Sequence, residues 1–156
     1  MGCGSGRIGE LALEAGSSHY VGIDFSEPMI ELARARLQRF HDRTQLILGD
    51  FLACPLEGEF DVVLALGLFD YLPDPRPFTK RIFELTAPRG CLVGSFPAWS
   101  PLKGPIRKIR YEVIGDCPIF NYSRRGLEAL MRDSGFARID IRAPGKSGFL
   151  LLAHKR

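Results

Sequence analysis

Short apolar runs and helix-spaced apolar positions alternate along most of this chain. The first periodic stretch, Leu11, Ala12, Leu13 and Ala15, predicts a short helix that Gly16 ends, as glycine does just past helix C-termini. Tyr20-Val21-Gly22-Ile23-Asp24 is a β-branched apolar run closed by an acid, the pattern of a buried parallel strand. Ser26 as N-cap and Pro28 in the first turn open a second helix, which Met29, Ile30, Ala33 and Leu37 carry to about Phe40 on one apolar face. Leu46-Ile47-Leu48 predicts a strand ended by Gly49-Asp50, and the run at 60–65 another.

After the turn cluster at 72–77, Phe78, Ile82, Phe83 and Leu85 take helical spacing up to Pro88-Arg89-Gly90, and residues 91–96 form a fourth strand. The alternation lapses between Pro97 and Tyr122, with room for a helix at about 106–114. It resumes with a helix capped by Ser123, bearing Leu127, Leu130 and Met131 and stopped by Gly135. The chain then closes in two apolar runs, 136–141 and 149–153, joined by a glycine- and proline-bearing turn, which is a hairpin. Strand–helix alternation argues a doubly wound α/β sheet with an antiparallel end.

Composition narrows the class. The sequence has 156 residues, 46% hydrophobic and 25% charged, with a formal net charge of +3. That suits one domain over 1–156. No apolar run approaches the ~20 residues that cross a bilayer, and no secretory leader pattern stands at the N-terminus. Cys3, Cys54, Cys91 and Cys117 are scattered without a C-x-x-C pair, which points to reduced thiols and a cytoplasmic protein. His19, His41 and His154 lack ligand spacing, so no metal is expected. The basic residues are too few and too little interleaved with aromatics for a nucleic-acid surface.

The chemistry is concentrated at the start. In Met1-Gly2-Cys3-Gly4-Ser5-Gly6-Arg7-Ile8-Gly9, glycines at alternate positions run into a helix, the pattern of a loop whose backbone closely approaches a ligand. Gly4-Ser5-Gly6-Arg7-Ile8-Gly9 matches the dinucleotide fingerprint G-x-G-x-x-G, and Asp24 lies where a ribose-binding acid would. Residues 2–6 with the same Asp24 equally match a loop that cradles S-adenosylmethionine, and Asp24 alone does not discriminate between NAD and that cofactor.

The later motifs do. With Gly2-Cys3-Gly4-Ser5-Gly6, Gly22-Ile23-Asp24-Phe25-Ser26, Gly49-Asp50-Phe51, Phe60-Asp61-Val62-Val63, Pro88-Arg89-Gly90 and the closing hairpin, the whole chain resembles a class I (Rossmann-like) S-adenosylmethionine-dependent methyltransferase. The resemblance implies a doubly wound, mostly parallel sheet with an antiparallel C-terminal hairpin. It also implies in-line methyl transfer to a small-molecule acceptor. By the same resemblance Gly2, Cys3, Gly4, Gly6, Asp24, Phe25, Asp50, Phe51, Ala65 and Gly67 bind the cofactor: Asp24 at the ribose, Asp50 and the backbone of Phe51 at the adenine, and the 65–68 stretch at the methionine part. Asp24 and Asp50 also have a plainer reading as turn and cap residues.

Family members often carry polar residues just after the fourth motif, where Asp70 and Tyr71 stand; Asp70 is the candidate base or acceptor-orienting group, or equally a turn residue. Substrate-recognition insertions fall at about 97–122 in the family. There Trp99, Tyr111, Phe120 and Tyr122 are candidates to wall an apolar acceptor. Lys103, Arg107, Lys108 and Arg110 either meet an anionic acceptor or form a solvated helix face. No Asn-Pro-Pro-Tyr or Asp-Pro-Pro-Tyr occurs at 65–68, which disfavours amino-group methylation of adenine or glutamine.

The family's first strand, with its terminal acid, would precede Gly2, where only Met1 stands. The expectation is a fragment, or a sheet closed across the gap, with cofactor affinity much reduced. The alternative is a non-catalytic remnant acting as a binding module.

Overall fold

In the computed structural model, the structure describes residues 1–97, 120, 122–145 and 148–156. The chain divides into two compact units, Met1–Leu56 and Glu57–Arg156. The described strands form a two-stranded sheet in the first unit and a four-stranded sheet in the second.

The first unit runs α1 (Arg7–Glu14), β1 (Tyr20–Asp24), α2 (Glu27–Arg36), a 3₁₀ turn (Gln38–Arg43) and β2 (Thr44–Leu48). β1 and β2 pair in parallel, with Tyr20 opposite Thr44 and Asp24 opposite Leu48; α2 is the crossover that a parallel pair requires. Leu13, Ile23, Ile30, Ala33, Leu37 and Phe51 are buried. α1 lies very close to β1: a Cβ on Gly9 would stand 2.5 Å from the Tyr20 ring.

Two expectations are corrected here. α2 ends at Arg36 rather than near Phe40, because Leu37 leaves helical geometry (φ −91°, ψ 7°) and the chain tightens into the 3₁₀ turn. Met29 is 38% exposed while Ile30 is 3% exposed, since adjacent helical positions point about 100° apart and only one can face the core.

The second unit runs β3 (Phe60–Ala65), a 3₁₀ turn (Phe69–Tyr71), α3 (Arg76–Leu85), β4 (Thr86–Pro97), α4 (Arg124–Asp133), β5 (Arg138–Gly145) and β6 (Gly148–His154). The sheet order is β3-β4-β6-β5; β3 and β4 are parallel, and β6 pairs antiparallel with both β4 and β5. The closing hairpin therefore inserts its second strand next to β4. Ile82, Leu92, Phe96, Leu127, Met131, Phe136, Ile141 and Leu151 fill the core.

Its two buried threonines are paired. Thr86 Oγ1 donates to Ile82 O at 2.6 Å, and Thr79 Oγ1 donates to Arg76 O and accepts from Ser134 Oγ at 2.8 Å. Ser123 caps α4 as expected, accepting from the Gly126 amide at 3.1 Å. β4 begins five residues earlier than the expected 91–96 strand, at Thr86. Pro88-Arg89-Gly90 is absorbed as an irregularity: the register steps from Phe60 opposite Thr86 to Val62 opposite Cys91, and Arg89 takes φ 66°. The helix expected at 106–114, the tip of the hairpin turn at 146–147 and Cys117 lie outside the described residues.

Candidate functional site

The loop at residues 2–6 is built on backbone that only glycine adopts readily. Gly2, Gly4 and Gly6 have φ of 61°, 52° and 77°. The glycines have different surroundings: a Cβ on Gly6 would crowd Ala33 at 3.1 Å, whereas one on Gly4 would meet nothing within 4 Å. Gly6 lets the loop rest on α2, and Gly4 borders open space.

The loop is tied to the carboxyl end of β1. The Cys3 amide donates to Ile23 O at 2.9 Å, and the Gly6 amide to Cys3 O at 3.1 Å. Asp24, only 8% exposed, accepts from the Gly4 amide on Oδ2 at 2.8 Å and from the Ser26 amide on Oδ1 at 3.0 Å. Ser26 thus occupies the N-cap of α2 without capping through its own side chain. Among the described residues, the Ser5, Arg7 and Ile8 amides have no acceptor. They are the donors that a loop opening a helix leaves for a ligand. Burial, and then the Asp24 carboxylate, push the Cys3 thiol up, so it remains protonated near neutral pH.

At the end of β2, the Gly49 amide donates to Asp24 O at 2.9 Å, which brings Gly49-Asp50 to the same carboxyl edge as Asp24 and the loop. Asp50 is exposed, and its Oδ1 accepts from the Leu52 amide at 2.9 Å while its carbonyl accepts from Cys54 at 2.8 Å, so it also shapes the turn that follows. Phe51 is buried, at 7% exposure, and Phe25 is 81% exposed. Open α/β sheets bind ligands outside the carboxyl ends of their strands.

In the second unit, β3 ends at buried Ala65, and Gly67 (φ 68°) donates its amide to Ser95 Oγ at 2.8 Å. Asp70 and the exposed Tyr71 stand on the 3₁₀ turn that Phe69 anchors. The Phe69 ring is fully buried and stacks on Phe96 with centroids 4.2 Å apart, and Tyr122 meets the Phe96 ring edge-on at 5.4 Å. The Tyr122 hydroxyl lies 3.2 Å from both Phe69 O and Leu72 O, and the Phe120 amide donates to Asp70 O at 2.8 Å. Burial first, then Asp70 and Asp74, push the Tyr122 hydroxyl up to about 12.

Tyr122, grouped in sequence with acceptor-walling aromatics, therefore fastens the turn that carries Asp70. Ser95 carries no motif signal in the sequence, its bond to Gly67 spanning 28 residues. Trp99, Arg107 and Tyr111, with Lys103, Lys108 and Arg110, lie outside the described residues.

This fold, with a glycine loop tied to the acid ending a parallel strand, is that of a Rossmann-like methyltransferase domain. A family model described as a methyltransferase domain matches residues 1–92, and the chain belongs to that family. A ubiquinone biosynthesis O-methyltransferase of Psychrobacter arcticus is 27% identical over 157 aligned positions, covering 90% of this chain and 59% of that protein. A trans-aconitate 2-methyltransferase of Methylobacterium radiotolerans is 34% identical over 98, covering 62% of this chain and 36% of the relative. The chain thus spans less than two thirds of the length of these relatives. An S-adenosylmethionine-dependent methyltransferase structure from Mesorhizobium loti superposes with a TM-score of 0.78 at 22% identity, covering 99% of this chain and 88% of that one. Among the described residues no helix is long and apolar enough to cross a membrane.

Proposed function

We propose that this chain is the catalytic domain, or part of it, of an S-adenosylmethionine-dependent methyltransferase that methylates an oxygen of a small-molecule acceptor. The observation that carries the reading is the loop at 2–6, held by Asp24 while Gly4 borders open space and the Ser5, Arg7 and Ile8 amides stay available. These features suit the cofactor: close backbone approach at Gly4, and backbone donors at a helix start for its carboxylate. Asp24 has lone pairs beyond the two it uses on backbone amides, enough to accept from ribose hydroxyls. We assign Asp50 and the Phe51 backbone to the adenine, Phe25 to its surroundings, and Ala65 and Gly67 to the methionine part, on the family resemblance.

The cofactor supplies a methyl group on a sulfonium, whose departure needs no protonation. The protein therefore contributes alignment and exclusion of water. A base is useful when the acceptor is a hydroxyl, and Asp70 is assigned to take that proton at its carboxylate, with Tyr71 orienting the acceptor. The oxygen acceptor follows the name of the Psychrobacter arcticus relative. The segment 97–122, with Trp99, Arg107 and Tyr111, is assigned to acceptor recognition. The scattered spacing of the four cysteines, without a C-x-x-C pair, supports a reducing, cytoplasmic setting.

The test is release of S-adenosylhomocysteine with catechol, with a short dicarboxylate and with a primary amine as acceptors. Turnover with either oxygen acceptor, reduced at least about tenfold by Asp70→Asn, is expected for a general base. Turnover confined to the amine, or none with any acceptor in a protein that binds the cofactor, overturns the oxygen-acceptor reading.

A further inference from the structure

One charged side chain on α2 reaches the candidate cofactor loop. Arg36 donates from Nε to Ser5 O at 2.9 Å, and its Nη1 meets Glu10 Oε2 at 3.3 Å. The loop carbonyl and the α1 carboxylate are thus gripped by one planar fork, an arrangement that a lysine ammonium does not reproduce. Arg36 lies three residues after Ala33, on the same helical face. Ala33, the residue Gly6 rests on, is fully buried. The face that supports the loop therefore also holds it.

The bond matters because of which peptide it fixes. The Ser5–Gly6 peptide is held at both ends: its carbonyl by Arg36, and its N–H by Cys3 O at 3.1 Å. The Cys3–Gly4 peptide is held by the same Cys3 carbonyl and by Asp24 Oδ2. Between them lies the Gly4–Ser5 peptide, whose N–H has no acceptor among the described residues. With both neighbours pinned, the direction of that N–H is set before any ligand arrives.

We propose that Arg36, braced by Glu10, is a positioning residue for the cofactor loop, holding the Ser5 carbonyl so that the Ser5 amide is preorganised to donate to the ligand. The inference rests on the cofactor reading above, and its sequence signal is only an arginine late in a helix. Arg39 provides the control. It pairs with Glu10 at 3.1 Å and also with Glu14, in the same surface cluster, but makes no bond to the loop.

The experiment titrates S-adenosylhomocysteine calorimetrically into the wild type, Arg36→Ala, Arg36→Lys and Arg39→Gln, with amide hydrogen exchange followed at Gly4 and Gly6 and a thermal melt for each. Arg36→Ala is expected to weaken binding about fivefold or more, the size of a lost charge-assisted hydrogen bond at a partly exposed site. Arg36→Lys should recover part of the loss, and Arg39→Gln should stay within about twofold of wild type although it removes two ion pairs. Exchange at Gly4 and Gly6 should quicken in Arg36→Ala only. Unchanged binding in Arg36→Ala, or equal weakening in Arg39→Gln, overturns the proposal. A wild type that takes up no ligand counts against the cofactor reading instead; the clamp is then decided by exchange, and unaltered rates at Gly4 and Gly6 in Arg36→Ala overturn it.

Discussion

The Gly4 amide donates to Asp24 Oδ2 at 2.8 Å, joining two residues 20 apart in sequence. The other oxygen of the same buried carboxylate takes the Ser26 amide at 3.0 Å, so one side chain fixes both the glycine loop and the entry to α2. Removing it leaves two backbone donors without their acceptor. Asp24→Ala should lower unfolding stability by about 1–3 kcal/mol. Asp24→Asn should fall between, because its oxygen replaces one acceptor while its NH₂ faces the other donor. Urea unfolding of the three proteins checks the order.

Gly4 and Gly6 separate conformational strain from crowding. Both have positive φ, but only Gly6 has a neighbour in the way of a Cβ. Gly4→Ala should cost about 1–2 kcal/mol, the strain of a left-handed non-glycine residue, whereas Gly6→Ala adds the displacement of α2 at Ala33 and should cost more. Chemical denaturation measures both; equal losses would mean that α2 yields freely.

Gly9 and Tyr20 form a testable pair. The Tyr20 ring would stand 2.5 Å from a Cβ on Gly9, so Gly9→Ala should destabilise by roughly 1–3 kcal/mol through overpacking. In a Tyr20→Leu background the penalty should shrink. A double-mutant cycle showing no coupling would mean that the strain is relieved elsewhere.

Tyr122 sets an alkaline limit. Its folded pKa, about 12, lies above the ordinary tyrosine value of 10.0, so the neutral hydroxyl is favoured by folding. The sign follows from linkage: its contribution is fully present below about pH 10 and is lost as the pH rises through about 12. Wild-type stability should therefore fall over that window, and Tyr122→Phe should fall less steeply from a lower starting point. Denaturant midpoints between pH 8 and 12 check this. Identical slopes would remove Tyr122 as a cause.

Much of this arrangement is legible in the residues. The β-branched run at Tyr20–Asp24 and the run at Phe60–Ala65 coincide with β1 and β3, and the Ser123 cap and Gly135 stop bracket α4, because the local pattern and the element agree there. The alternate glycines and Asp24 announce the loop, and the structure brings them together at one sheet edge. The start of β4 is less legible because Pro88-Arg89-Gly90 carries turn chemistry; the pairs Phe60–Thr86 and Val62–Cys91 on either side keep it within the strand, against local preference. Arg36, Ser95 and the turn-fastening role of Tyr122 depend on contacts across 31, 28 and 53 residues, which no local periodicity encodes.

Calorimetric titration of S-adenosylmethionine into this protein, with a thermal melt alongside, tests the central claim most directly. The account predicts saturable uptake near one ligand per chain, weakened at least about tenfold by Gly4→Ala, whose added methyl projects into the space beside the loop. A cooperative melt without uptake, or equal affinity in Gly4→Ala, would contradict it.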